Sequence, residues 1–230
     1  MFALIGSQRR QERADAMVGS GYMRLAYKSL LLPGIIAISM VFTGIWAVAM
    51  PLIAEFQFTR EIDDRLLAPT GVAWVAIEKV IAGILQAMVA GLVVIPLAWL
   101  VLRPGVEISI KAPLVFALVM LLVSIFAACG GLALGCSINQ QHIGLMFGMV
   151  ITPVIFFGCA YYPWSALGTF PILQKVVLVN PLVYASEGLR ATLVPQFPHL
   201  SITAVLTALT FFDAILLVAG LRQFEKKSVS

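Results

Sequence analysis

Five stretches of the chain are almost free of charged residues and long enough to cross a membrane. They cover residues 30–54, 80–102, 112–138, 143–162 and 200–221. A helix needs about 20 residues to cross the hydrocarbon core of a bilayer, and each stretch reaches that length. Strands of a membrane barrel would instead alternate polar and apolar residues over segments of about 10 residues. Because these stretches are apolar on every face, the sequence predicts an all-α polytopic membrane protein with five transmembrane helices.

The composition supports a membrane protein and excludes several other classes. Of the 230 residues, 61% are hydrophobic and 11% are charged, whereas a soluble domain has about 25% charged residues. A disordered chain would contain fewer hydrophobic residues, and a disulfide-stabilised secreted domain would need more than the three cysteines present. The formal net charge of +4 resides mostly in short connections between apolar stretches, so we expect no nucleic acid partner.

The connection formed by residues 55–71 has the pattern of a short amphipathic helix. Within residues 58–67 the apolar residues recur every fourth position, at Phe58, Ile62 and Leu66, and the charged residues are Arg60, Glu61, Asp63, Asp64 and Arg65. Pro69 ends the pattern. The segment could be a solvated turn, a helix among lipid headgroups, or a docking element for a protein. Headgroup helices are usually rich in Lys and Arg, whereas this one has three acids and two arginines, which favours docking.

The connection formed by residues 163–199 contains apolar pieces that are too short to cross a membrane. They are residues 167–179 and 182–194. Apolar pieces of about 10 to 14 residues are typical of re-entrant or interfacial helices. Asn180 and Pro181 separate the pieces and suit the N-cap and the first position of a helix. We therefore predict a re-entrant helical hairpin, in which Glu187 and Arg190 can pair.

Small residues recur at spacings that favour close contact between helices. They are Gly83, Ala87 and Gly91 in the second stretch, Gly131 and Gly135 in the third, and Gly144 and Gly148 in the fourth. Helices in lipid associate through such faces because their backbones can approach closely. The faces predict seams either within the bundle or between subunits.

Asp213 lies inside the last apolar stretch, where an ionisable group is costly and by default indicates function. One interpretation is an intramembrane proton or cation site. The other is a carboxyl group that is hydrogen-bonded by Thr207, Thr210 or a neighbouring helix. No pattern typical of a metal site, of a nucleophile with its base, or of paired catalytic carboxylates occurs in the sequence.

Several blocks of the sequence resemble the integral membrane subunits of ABC-2 type exporters. The blocks are residues 31–35 (LLPGI), 60–69 with 78–79, 162–167 (YPWSAL) and 180–190 (NPLVYASEGLR). The last two are the most specific to that family. The final block contains the hairpin residues Asn180, Pro181, Tyr184, Glu187 and Arg190.

The resemblance implies a single ABC-2 type transmembrane domain over residues 1–230. Its expected parts are an N-terminal tail (1–29), a membrane bundle (30–221) and a cytosolic tail (222–230). The family normally has six spans, and the resemblance covers about residues 30–225. The family's first span is therefore expected to be missing, either because the given chain starts downstream of it or because the protein has five spans.

The resemblance also implies partners and a mechanism. The segment from Phe58 to Pro69 would be a cytosolic coupling helix that rests on an ATPase, and the hairpin would be extracytoplasmic. The chain has no G-x-x-x-x-G-K phosphate loop, so ATP and Mg would bind to partner ABC ATPase subunits. The chain itself would be no enzyme and would bind no cofactor directly. A second membrane subunit, identical or homologous, would complete the exporter.

We therefore expect a permease subunit of the prokaryotic cytoplasmic membrane that moves an amphipathic substrate outward by alternating access. The substrate would be a drug-like molecule, a lipid or a glycolipid, and drug efflux and drug resistance are among the expected roles. The alternative is a proton-coupled secondary transporter or a channel that uses Asp213. An ATPase gene beside that of this chain would favour the exporter.

Overall fold

The computed structural model describes residues 2–56, 72–102, 109–138 and 140–228. The α-helices in these residues are α1 (Phe2–Ala54), α2 (Val72–Leu102), α3 (Pro113–Ser137), α4 (Ile143–Met146), α5 (Thr152–Phe156), α6 (Pro171–Val176), α7 (Pro181–Leu193) and α8 (Ile202–Ser228). Short 3₁₀ helices lie at Gln140–His142, Trp164–Thr169 and Val177–Val179, and a π-helical turn lies at Phe147–Ile151. The described residues contain no strand, so the predicted all-α class is confirmed.

Four helices in the described ranges are long and apolar enough to cross a membrane. They are Lys28–Ala54, Trp74–Ala98, Pro113–Ser137 and Ile202–Lys227. The predicted fourth stretch, residues 143–162, forms a shorter apolar helical segment that ends at Phe156. Fourteen helical residues span about 21 Å, whereas the hydrocarbon core is about 30 Å thick. The predicted count of five transmembrane helices is therefore not confirmed.

Local features shorten the fourth stretch. Pro153 has no backbone N–H, so it interrupts the hydrogen bonds of a continuous helix beside the π-helical turn. The chain then leaves the helix after Phe156, and Cys159 has a left-handed backbone with φ of 50°. A non-glycine residue rarely adopts that conformation, and it does not continue an α-helix.

α1 begins at Phe2 and continues without a break through the first span. The segment expected as a tail, residues 1–29, is therefore helical from Phe2 onward. Pro33 and Pro51 lie inside this helix. Membrane helices tolerate proline because neighbouring groups satisfy the backbone groups that it frees.

α3 occupies the centre of the bundle and packs against α1, α2 and α8. A Cβ added to Gly131 would lie 2.7 Å from the carbonyl oxygen of Ile45, which is too close for a real side chain. This glycine lets the backbones of α1 and α3 approach, as the predicted internal seam requires. A Cβ added to Gly144 or Gly148 would meet no described atom within 4 Å, so this pair forms no seam with the described part of the chain.

Residues 157–200 and the described residues that flank positions 57–71 lie at opposite ends of the bundle. Residues 157–200, called the hairpin region below, pack against the start of α8, where Gly188 lies close to Val205. The other end of α8 carries Phe224, which is buried near the end of α1. The bundle thus separates the hairpin region from Phe56 and the end of α8.

Candidate functional site

The predicted coupling residues lie outside the described residues. They are Phe58, Arg60, Glu61, Ile62, Asp63, Asp64, Arg65, Leu66 and Pro69. The residues on both sides of this segment are described. Glu55, at the end of α1, forms an ion pair with Lys79 in the second turn of α2. Both side chains are largely buried, so the pair holds together the two helices that the segment connects.

Phe56 extends this contact to the end of α8. Its ring lies 5.7 Å from the ring of Phe224 in an edge-to-face arrangement, and the Nζ atom of Lys227 lies 4.9 Å from its centre. Such aromatic and cation–π contacts each contribute about 0.5–1.5 kcal/mol. We call Glu55, Phe56, Lys79, Phe224 and Lys227 the foot cluster. It joins α1, α2 and α8 where the predicted coupling segment begins and ends.

The hairpin region is held by a fully buried ion pair. Glu187 and Arg190 are both inaccessible to solvent and contact each other one turn apart on α7. The backbone N–H of Trp164 donates to Glu187 Oε1 at 2.9 Å, and that of Leu200 donates to Oε2 at 3.0 Å. Arg190 Nη2 donates to the carbonyl oxygen of Cys159 at 3.1 Å. One pair therefore connects α7 to three other segments of the hairpin region.

The start of α7 follows from Asn180 and Pro181. Asn180 Oδ1 accepts from the backbone N–H of Leu182 at 3.0 Å, and Asn180 Nδ2 donates to the carbonyl oxygen of Val154 at 2.6 Å. Pro181 occupies the first helical position, where no N–H is needed. Tyr184 donates its hydroxyl hydrogen to the carbonyl oxygen of Leu178 at 2.9 Å. The helix is thus fixed both to α5 and to the segment before it.

The left-handed turn at Cys159 is part of the hydrogen-bond network around Glu187 and Arg190. Its carbonyl oxygen accepts from Arg190, and its thiol is buried. Burial, and then the charge of Glu187, raises the pKa of the Cys159 thiol to about 12, so the thiol stays neutral at physiological pH. Burial also lowers the pKa of Arg190, and the neighbouring Glu187 opposes that effect. The turn therefore contributes its backbone carbonyl oxygen as an acceptor to the network, and its thiol contributes no charge.

Gly34 places the first span against the same turn. A Cβ added to Gly34 would lie 1.8 Å from the carbonyl oxygen of Ala160. Only glycine permits this approach, which explains a glycine in the LLPGI block in structural terms.

An apolar cavity of about 410 Å³ lies between α1, α3, α5 and α8. Its lining includes Phe42, Phe126, Leu134, Ile151, Phe212 and Leu216. The lining presents no polar surface, so the cavity suits the apolar part of a ligand and offers no hydrogen bonds of its own.

Asp213 lies beside this cavity in the middle of α8. The residue is 6% exposed, and neither carboxylate oxygen has a hydrogen-bond partner among the described residues. The hydroxyls of Thr207 and Thr210 donate to carbonyl oxygens of their own helix, at 2.9 and 2.8 Å. The interpretation in which either threonine satisfies Asp213 is therefore wrong.

A comparison with protein families identifies the chain. The family model of the ABC-2 type transporter matches residues 5–194, which is most of the sequence. The chain belongs to the ABC-2 type transporter family. No individual curated protein matches it.

The ABC-2 match differs in extent from the expected resemblance over residues 30–225. It begins at residue 5, within the first turns of α1, and ends at Val194 after α7. The foot residues Glu55, Phe56 and Lys79 lie inside it, as do Glu187, Arg190 and their partners Trp164 and Cys159, whereas Leu200 lies outside it. Asp213 and the end of α8 lie outside it.

Membership in the ABC-2 family and four apolar helices identify a multi-pass membrane protein and a transporter permease subunit. Permease domains of this family generally lack an ATPase site of their own and normally pair with ABC ATPase subunits. Sequence reasoning missed Glu55, Phe56, Phe224 and Lys227 as neighbours. In the sequence, each of these residues is a charged or aromatic residue near the end of an apolar stretch. That position does not indicate which helix ends are neighbours in the folded protein.

Proposed function

We propose that this chain is the membrane subunit of an ATP-driven exporter in a prokaryotic cytoplasmic membrane. In this proposal, ABC ATPase subunits bind ATP and Mg and contact the segment from Phe58 to Pro69. The chain and a second membrane subunit move an amphipathic substrate outward by alternating access. The observation that carries the proposal is the foot cluster, because it connects both flanks of that segment to the helix that borders the cavity.

The foot cluster supports transmission of a displacement from the coupling segment to the bundle. Glu55 and Lys79 tie together the two helices that enter and leave the segment. Phe56 contacts Phe224 and Lys227 on α8. A displacement of the segment would therefore move α1, α2 and α8 together, since packed helices transmit strain with little compression.

The cavity supports an amphipathic substrate. The cavity has a volume of about 410 Å³ and a purely apolar lining, so it can accept an acyl chain or a hydrophobic ring system. Phe42 and Ile151 bring α1 and the segment before α5 to the same cavity. A drug-like molecule, a lipid or a glycolipid each has an apolar part that fits this description.

The glycine pair that contacts no other described helix, Gly144 and Gly148, supports a second membrane subunit. Gly144 and Gly148 lie on a segment with exposed apolar side chains at Leu145 and Met149. Small residues four apart allow close helix contact. We propose that this face packs against the second membrane subunit, identical or homologous.

The test is transport by the complete complex. The chain is coexpressed with the ATPase encoded beside its gene, and ATP-dependent uptake of labelled amphiphiles is measured in inside-out vesicles. Charge reversal at Asp63 and Asp64 is expected to abolish uptake while the subunit still inserts and the ATPase still hydrolyses ATP. Unchanged uptake in this variant would contradict the coupling assignment.

A secondary transporter or channel is the second candidate, and the unpartnered carboxyl group of Asp213 favours it. This candidate predicts uptake that is driven by a proton gradient without ATP. Purified subunit alone in vesicles, with an imposed gradient, separates the two functions. Uphill accumulation without any ATPase would overturn the exporter.

A further inference from the structure

Asp213 is the only charged residue of α8 between Ile202 and Leu221. It sits near the middle of the span Ile202–Lys227 and therefore near the bilayer midplane. Ionisable groups at this depth almost always pair with another group or serve a substrate or ion pathway. The structure shows no pairing for either oxygen in the part of the chain that it describes.

The helices packed against α8 offer Asp213 no counter-ion. α3 contains no charged residue, and neither do residues 30–54 of α1. Lys79 of α2 pairs with Glu55, and Arg190 of α7 pairs with Glu187. Arg222, the nearest basic residue along α8, is roughly 14 Å away along the helix axis.

Asp213 is not part of the cavity lining, but it lies beside residues that border the cavity. Phe212 and Leu216, which flank Asp213 on α8, both line it. On the facing helix, Asp213 is close enough to Cys129 for an electrostatic interaction, and the next residue, Gly130, also lines the cavity. A Cβ added to Gly130 would meet only Ile45 Cγ1, at 3.8 Å. Gly130 therefore contributes no side chain to the wall on this side of the cavity.

The aromatic lining suits a cation as well as an apolar body. Phe42, Phe126 and Phe212 contribute rings to the cavity. The faces of aromatic rings attract ammonium groups, more strongly where water is excluded. A buried carboxylate near such a cavity favours a positive charge and disfavours a second negative charge.

We propose that Asp213 binds the ammonium group of a cationic amphiphile whose apolar body occupies the adjacent cavity. The inference rests on the proposed export function and assigns its substrate class. It gives the unpartnered carboxylate the partner that this chain does not supply.

The first experiment measures binding without transport. The full chain in lipid nanodiscs is titrated with dansylcadaverine, a fluorescent primary amine, and with its N-acetyl derivative, which has no charge. We expect Asp213→Asn to raise the Kd for the amine about ten-fold, which is the loss of about 1.4 kcal/mol, and to leave the Kd for the acetyl derivative unchanged. Asp213→Glu should retain amine binding.

Two control variants distinguish the effect of removing the charge from the effects of filling the cavity and of disturbing the fold. Gly130→Val should fill part of the cavity and weaken binding of both probes. Thr210→Val, on the exposed side of α8, should weaken neither. Equal binding of the amine to the wild type and to Asp213→Asn would overturn the inference, as would equal weakening of both probes in that variant. Failure of the wild type to bind the amine would overturn it as well.

The second experiment measures ATP-dependent uptake of both probes by the complex with its ATPase. Uptake of the amine that falls in Asp213→Asn, with uptake of the acetyl derivative preserved, supports the inference. Loss of both, with binding intact, indicates a proton-carrying role and overturns it. Charge-selective binding without any ATP-dependent uptake would leave the site standing and refute the proposed exporter.

Discussion

The foot cluster and the hairpin region each contain one glutamate paired with one basic side chain, but the two pairs differ in their surroundings. Glu187 and Arg190 are completely buried, and both carboxylate oxygens also accept backbone N–H groups. The side chains of Glu55 and Lys79 are 12% and 16% exposed, and Glu55 Oε2 has no partner among the described residues. Arg190 Nε also has no partner among the described residues. The Glu187–Arg190 pair is nevertheless part of a network of several hydrogen bonds, whereas the Glu55–Lys79 pair is a single contact between two helices.

This difference separates a fixed region from a movable one. A buried network of several hydrogen bonds rigidifies a structure because each member is costly to release. A single contact between two helices is cheaper to change, since fewer partners are lost. We therefore expect the hairpin region to keep its internal contacts and the foot cluster to shift with α1, α2 and α8 when the coupling segment is displaced. The following substitutions test this contrast.

The largest effect is expected from Glu187→Gln. The substitution leaves the buried charge of Arg190 without its counter-ion, and such a loss costs about 3–5 kcal/mol. The thermal unfolding midpoint of the purified subunit should fall markedly. The double variant Glu187→Gln with Arg190→Met removes both charges and should be more stable than the single variant. A single variant as stable as the wild type would show that the pair does not hold the hairpin region.

A smaller loss of stability is expected from Gly34→Ala. The added methyl group would collide with the carbonyl oxygen of Ala160, and overpacking typically costs about 1–3 kcal/mol. Gly168→Ala is the matched control, because a Cβ there meets nothing within 4 Å. Thermal unfolding of both variants measures the difference. Equal midpoints would mean that the first span does not rest on the turn near Cys159.

Charge reversal in the foot cluster should affect coupling more than stability. Lys79→Glu places like charges together, and we expect a stability change of about 1 kcal/mol with a clear fall in substrate transported per ATP hydrolysed. The double reversal Glu55→Lys with Lys79→Glu should restore the ratio. Its failure to do so, or an unchanged ratio in the single variant, would contradict a role for this pair in coupling.

The smallest effect is expected from Lys227→Met. This variant removes the ammonium group above Phe56, and a contact of this kind is worth about 0.5–1 kcal/mol. Lys226→Met is the control, because Lys226 is exposed. The transport-to-hydrolysis ratio of the two variants is compared at low salt. A larger change for Lys226 would argue against the contact between Phe56 and Lys227.

The lengths of the apolar stretches predicted most of the membrane-spanning helices. Four of the five predicted stretches are long apolar helices, because a run of about 20 apolar residues has few alternatives in a bilayer. The fourth stretch has the same composition, yet it stops at Phe156. Length alone could not foresee this, since the interruption depends on Pro153 and on the left-handed turn at Cys159.

The ion pair within one helix could be predicted from the sequence, whereas the ion pair between two helices could not. The contact between Glu187 and Arg190 follows from their spacing of three on one helix. Glu55 and Lys79 are 24 residues apart, and nothing in their spacing indicates that α1 and α2 bring them together. The backbone donors to Glu187, Trp164 and Leu200, are 23 and 13 residues away in sequence, and their spacing gives no such signal either.

The sequence by itself determined the solvent, the helical class and the family, because hydrophobic runs and short motifs are local properties. Only the tertiary structure decided that the threonines near Asp213 are engaged with their own helix and that an apolar cavity lies beside the carboxyl group. It also decided which glycines form internal seams and which face outward. These properties depend on the relative positions of helices, and those positions are set by packing between residues far apart in the chain.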